Sequence, residues 1–175
     1  MLRLLLILRI LIIGVLCLPG LSVAKGTYQE PDEFIKNAFN QQPPEPAIIW
    51  IKGELREQVE TILQHGYNAK RTRYWKQNNR SVWILEEIGK KKPITVGIVI
   101  DENRISELKV LVFRETRGWE VRYPFFTQQF DQSSLTAERE LSNTIDGVSG
   151  ATLSVRALTK LARIALLLNQ NIKNI

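Results

Sequence analysis

An α+β domain is the fold class this sequence predicts: a twisted, mainly antiparallel sheet with helices packed on one side, following a signal peptide. Three observations carry it. Two pairs of strand-like segments are each joined by a short polar turn. A segment from Gly53 to Gln64 has helical periodicity, with Leu55, Val59, Ile62 and Leu63 on one face. A second, from Leu153 to Leu168, repeats apolar residues at Leu153, Ala157, Leu161, Ile164 and Leu168. Strands and helices in these proportions bury one another as two layers.

The first 24 residues read as a leader. Met1 to Ala24 has no acidic residue, carries Arg3 and Arg9, and holds an unbroken apolar or glycine run from Ile10 to Leu18. Pro19-Gly20 ends that run, and Ser22-Val23-Ala24 places small residues at the positions a signal peptidase reads. The apolar core is short for a membrane span, which favours cleavage between Ala24 and Lys25 over retention as an anchor. Cys17 is the sole cysteine, so the chain after the leader has no disulfide, thiol or Cys-ligated metal chemistry. The full chain has 24 basic and 18 acidic side chains; without Arg3 and Arg9 the balance is +4. In an exported, periplasmic protein that mild excess fits an acidic partner or membrane surface better than nucleic acid, and a solvated basic face accounts for it equally well.

Residues 25–46 form a polar N-terminal segment and linker. Asp32 to Phe39 reads as a short helix with Phe34, Ile35, Ala38 and Phe39 on one face. Pro43-Pro44-Glu45-Pro46 cannot continue a helix. Residues 47–92 form the first part of the domain. Ala47 to Ile51 is a short strand or helix entry, and the helix from Gly53 ends at His65-Gly66. His65, the only histidine, is expected to interact with that helix end. Ala69 to Trp75 and Ser81 to Ile88 are strands around Lys76–Arg80. Gly89-Lys90-Lys91-Lys92-Pro93 is a basic turn, read as a solvated loop in preference to a contact for a phosphate or an anionic partner.

Residues 93–170 form the core. Pro93 to Ile100 and Ile105 to Phe113 make the clearest hairpin, turning at Asp101–Arg104, with Ile105, Leu108, Val110 and Val112 inward on the second strand. Three phenylalanines between Tyr123 and Phe130 supply packing, Thr136 to Leu141 reads as a short helix, and Asn169 to Ile175 as a polar tail. The final helix opens at Asp146-Gly147-Val148-Ser149-Gly150-Ala151-Thr152-Leu153-Ser154. Hydroxyl residues and a glycine at a helix start offer free N–H groups and the positive end of the dipole, a natural anion site. There is no Gly-x-Gly-x-x-Gly after a strand, no nucleophile–base pair, no paired carboxylates and no metal cluster; catalytic and metal residues are therefore not assigned.

The string from Asp146 to Thr152 resembles the flavin-attachment motif of the FMN-binding domain family, which includes the flavin-carrying subunits of the sodium-pumping NADH:quinone oxidoreductase and of Rnf-type complexes. The hairpin and the Arg114-Glu115-Thr116-Arg117-Gly118-Trp119 segment are similar to that family too, except that Rnf-type members typically have Pro where this chain has Arg117. The resemblance implies FMN joined through its phosphate to the Thr152 hydroxyl by a separate flavin transferase. It implies Asp146 as part of the transferase recognition motif, Ser149, Gly150 and Ala151 as a backbone cradle, and Glu115 and Thr116 as a second loop near the flavin; Trp119, in the same segment, is the aromatic singled out for flavin proximity, with core packing as the equal alternative. The function implied is an exported electron-transfer flavoprotein, peripheral to the membrane at most, working between a membrane-bound redox partner and an envelope acceptor. Flavins carry such chemistry themselves while the protein binds and tunes them. The alternatives are a flavin-free envelope binding or adaptor module and a flavin reductase acting on a small substrate. N-terminal sequencing of the exported protein is expected to begin at Lys25; an intact Met1 would mean a retained anchor.

Overall fold

A computed structural model describes residues 26–172; the leader and its processing site lie outside the described residues. The elements in order are α1 (Pro31–Ala38), β1 (Ala47–Trp50), α2 (Glu54–Leu63), β2 (Arg71–Gln77), β3 (Arg80–Ile88), β4 (Pro93–Asp101), β5 (Arg104–Phe113), a 3-10 turn (Trp119–Arg122), α3 (Pro124–Thr127) and α4 (Thr152–Asn171). The five strands form one antiparallel sheet in the order β1-β2-β3-β4-β5. Each strand pairs with its sequence neighbour, so short turns suffice and no crossover is needed.

The expected α+β architecture is present. Helices α2 and α4 cover one face, where Ile94, Val96, Ile98 and Ile100 of β4 meet Trp83, Leu85, Leu158, Leu161 and Ala165. The short α1 lies on the other face, where Phe34, Ile35, Ala38 and Phe39 pack on Val82, Val99, Leu111 and Val112. β4 alternates between these two buried surfaces, which is why it is apolar at nearly every position. Gly97 at its centre is required by this second layer: a Cβ there would meet the Phe34 ring at 2.5–2.9 Å.

Four local expectations are corrected. First, Val112 does not share a face with Ile105, Leu108 and Val110. Register shifts between Val99 and Ile100 and between Thr95 and Val96 leave Ser106 and Leu111 as extra residues in β5. Each extra residue reverses the side-chain parity beyond it, so Val112 joins Leu111 against α1. Second, Thr136 to Leu141 is not helical. It is a small turn closed by Thr136 N–H on the Glu140 carbonyl and a bridge between Leu135 and Leu141, with Arg139 at φ 61°. Third, the last helix runs to Asn171, because Asn169 accepts a hydrogen bond from the Ser81 hydroxyl (2.7 Å) and donates to Asn103 (2.8 Å). Ser81 in turn accepts from the buried Trp83 indole at 2.9 Å, so the "tail" anchors α4 to β3. Fourth, α2 ends with Gln64 in the left-handed conformation (φ 62°). His65 reaches away from it to Glu87 of β3, Nε2 to Oε1 2.9 Å. That carboxylate, helped by the Gly66 carbonyl, raises the His65 pKa against the opposing effect of burial.

Gly97→Ala is expected to lower stability by about 1–3 kcal/mol by overpacking against Phe34. Thermal unfolding checks this: the loss should shrink when Phe34→Leu is added, because the smaller side chain gives back the space. Equal losses in the single and double variants would mean that the contact does not limit the packing.

Candidate functional site

The antiparallel register decides where the site forms. Ile94 pairs with Phe113, so the β3–β4 turn and the loop after β5 emerge at the same end of the sheet. The two are tied together by Glu115. Its carboxylate accepts hydrogen bonds from the backbone N–H groups of Lys90, Lys91 and Lys92, the last at 2.8 Å. Burial alone would raise the Glu115 pKa, but these three amides, with the Lys90 charge, outweigh it and hold the carboxyl below its ordinary value. Arg114, the preceding residue, turns the other way, donating to Thr95 Oγ1 (2.9 Å) and the Pro93 carbonyl (3.2 Å).

The start of α4 closes the other side. Gly118 sits at φ 81° against it, and a Cβ there would come within 2.7 Å of Ser154 Oγ and 3.3 Å of Ala151. Gly150 is also left-handed, at φ 79°, and turns the chain into the helix. Ala151 is the N-cap, its N–H bonded to the Val148 carbonyl at 2.9 Å. The first helical bond then runs from Val155 N–H to Ala151 C=O. The amides of Thr152, Leu153 and Ser154 precede it, and no side chain caps them. This is the positive end of a 20-residue helix.

Between these pieces lies a cleft of about 360 Å³ lined by Lys90, Glu115, Thr116, Arg117 and the run from Gly150 to Ser154. Thr152 is exposed at the first position of α4. Of the residues singled out from the sequence, Gly150, Ala151, Thr152, Glu115 and Thr116 therefore converge on one cleft. Asp146 and Ser149 are exposed on the approach and outside its lining. The segment carrying Asp146 is held by its N–H on Gln129 Oε1 (2.7 Å) and by Asn143, which donates to the Gln129 and Asp131 carbonyls (3.1 and 2.9 Å). Trp119 is outside the lining as well, packed edge-to-face on Tyr123.

Sequence reasoning assigned no site role to Arg117 or Leu153, and for the turn carrying Lys90 it ranked a phosphate contact behind a solvated loop. The signal for Lys90 was available: a lysine run immediately before a hairpin strand must lie beside the exit of that strand's partner. Arg117 had no such signal, since its direction depends on how the loop folds over α4.

With uncapped amides, an exposed hydroxyl and the cations Lys90 and Arg117 on one cleft, the donor set fits a phosphate-bearing group. Such a cleft, set against an antiparallel sheet, defines a small anion-binding α+β domain. Residues 89–167 match the family model for the FMN-binding domain. Among solved structures, one subunit of the Na(+)-translocating NADH-quinone reductase from Parabacteroides distasonis ATCC 8503 is similar over 79% of this chain and 83% of that one, at 16% identity and a TM-score of 0.50. That likeness supports the fold. No curated protein matches in sequence.

Glu115→Ala is expected to free the Lys90–Lys92 amides, raising their hydrogen exchange while leaving the core protected. Because folding lowers the Glu115 pKa, its contribution is full above the unfolded value of about 4.3. The contribution is lost as pH falls through the lower folded value. Wild-type protection at these amides should therefore drop in acid, and a variant already lacking the carboxylate should show no such step.

Proposed function

We propose that this chain is an exported electron-transfer flavoprotein in which FMN is joined to Thr152 through a phosphoester. The observation that carries the reading is the placement of Thr152: an exposed hydroxyl at the first turn of α4, on the cleft lined by Lys90 and Arg117. A hydroxyl in that position is open to a modifying enzyme. The phosphate bound to it would face three uncapped amides and two cations, which offset its negative charge. The residues that would hold the group are thus the backbone from Gly150 to Ser154, with Lys90 and Arg117 as counter-charges. Leu153, exposed at the cleft, offers apolar surface beside them. Glu115 acts at one remove, fixing the turn that carries Lys90. Asp146 and Ser149 are exposed ahead of the helix, and in this reading they are what a flavin transferase would recognise.

When bound, FMN supplies reversible electron uptake and release. A covalent link keeps an exported protein from losing its cofactor, and a membrane-associated redox partner with an envelope acceptor completes the proposed route. Cleavage of the leader after Ala24 would leave the domain in the periplasm.

The test is the intact mass of the exported chain co-expressed with a flavin transferase. The wild type should be heavier by one FMN less one water, and Thr152→Ala should show no addition. An unmodified wild type, in cells where a known substrate of the same transferase is modified, would refute the covalent reading.

A further inference from the structure

The two edges of the sheet differ. Along β5 run residues 26–28: Gly26 accepts from Phe113 N–H (2.8 Å), Thr27 bridges Val112, and Tyr28 N–H donates to the Leu111 carbonyl (2.8 Å). β1 is the other edge, and among the described residues no strand lies beyond it. The register fixes which groups β1 turns outward. Ile51 N–H donates to the Lys70 carbonyl at 2.9 Å, so residues 51 and 70 are a hydrogen-bonded pair. Bonded and non-bonded pairs alternate along an antiparallel ladder. Ile49 with Thr72 and Ala47 with Tyr74 are therefore bonded, while Ile48 with Arg73 and Trp50 with Arg71 are not. The N–H and C=O groups of Ile48 and Trp50 point away from β2, to the free edge.

The side chains of the same two residues are exposed, Ile48 by 46% and Trp50 by 57%. They lie on the α1 side of the sheet. There α1 covers Val82, Val99, Leu111 and Val112 and leaves Trp75 and Ile84 half-buried at its margin. Beyond that margin Ile48, Arg71, Thr72, Arg73, Trp75 and Ile84 line an open groove of about 400 Å³. The Arg71 guanidinium lies over the Trp50 ring, 5.6 Å from its centroid, and so leans toward the edge. Glu86, the acidic residue that β3 carries on this face, is engaged by Thr95 Oγ1 and by Arg114 (3.3 Å). Among the described residues no acidic side chain pairs with Arg71 or Arg73.

Two features choose the occupant. The outward N–H and C=O groups are matched by an extended polypeptide, which carries both at the spacing of a strand. A nucleic-acid strand would use Arg71 and Trp50 but leaves the edge groups unmatched. The charge then selects among polypeptides, because the unpaired cations line the groove itself. A second copy of this chain, joined edge to edge, would bring the same cations together, which like-charge repulsion disfavours.

We infer that the β1 edge docks an acidic segment of a partner protein as an added strand. A residue set opposite Ile48 or Trp50 pairs with it through both backbone groups and places its side chain on the same face. Acidic residues belong at those positions, toward Arg71 and Arg73. Apolar residues belong at the alternate ones, beside Ala47 and Ile49, which face the α2 layer. No residue of this edge lines the cleft, so the inference does not depend on whether Thr152 carries a flavin.

The probe is a capped peptide of alternating Glu and Val, about eight residues long, titrated calorimetrically into the full chain. Saturable binding is expected, weakened roughly fivefold by Arg71→Gln combined with Arg73→Gln. Ile48→Pro should abolish it with no change in thermal unfolding, since that N–H is not used in the ladder and proline is tolerated at such an edge position. N-methylation of the Glu amides, which point at β1, should abolish binding as well; N-methylation of the Val amides, which point away, should not. Retained binding of the Glu-methylated peptide, or equal binding of a Lys/Val peptide, overturns the inference, because edge pairing or charge then plays no part. Failure of the Glu/Val peptide to bind also overturns it. An oligothymidylate bound in its place would give the groove to nucleic acid, and a dimer of the chain that Ile48→Pro dissociates would give the edge to a second copy.

Discussion

The contact on which the cleft depends is the close approach of Gly118 to the start of α4. Its backbone is left-handed at φ 81°, and a Cβ would collide with Ser154 Oγ. Only glycine meets both demands. Through that contact the loop after β5 is pressed onto Ala151 and Ser154, both buried, while Thr152 and Leu153 between them remain exposed. The alternation follows from helix geometry: at the first turn, one side packs inward and the next residues around point outward. The hydroxyl at 152 is outside because the methyl at 151 and the hydroxyl at 154 are inside.

Glu115 has a comparable role on the other wall. A carboxylate bound by three backbone amides is an unusual use of an acidic residue at the edge of a site that otherwise attracts anions. It satisfies the turn's amides and takes up part of the Lys90 charge. The two walls thus have separate anchors, one steric and one electrostatic, and both meet the sheet where β4 begins and β5 ends. Rigid strands hold the anchors, and the loops between them carry the polar groups, a common division in binding sites.

The hairpin from Pro93 to Phe113, the helix opening at Thr152 and the glycine-rich turn before it were legible in the sequence, since each is a local pattern with a period or a turn chemistry of its own. The helix at 31–38 was equally legible, but its position was not: the sequence marks an apolar face without saying which side of a sheet receives it. Phe34 over Gly97 settles that, and it places a second layer where helices on one side alone were expected. The misplaced Val112, the absent helix at 136–141 and the underestimated length of α4 have related causes. Bulges change parity, a short polar turn can satisfy its backbone without a helix, and Asn169 is held in the helix by Ser81, a residue far away along the chain.

The sequence by itself determined the class of fold, the helix start that exposes a threonine, and the resemblance to FMN-binding domains, because these are written in short, contiguous patterns. Only the tertiary structure decided that Lys90, Glu115, Arg117 and Thr152 share one cleft, that Asp146 and Ser149 stand outside it, and that Trp119 belongs to an exposed aromatic patch. These facts depend on the register between β4 and β5 and on the packing of Gly118 against α4, contacts between residues distant in sequence whose partners no local pattern specifies.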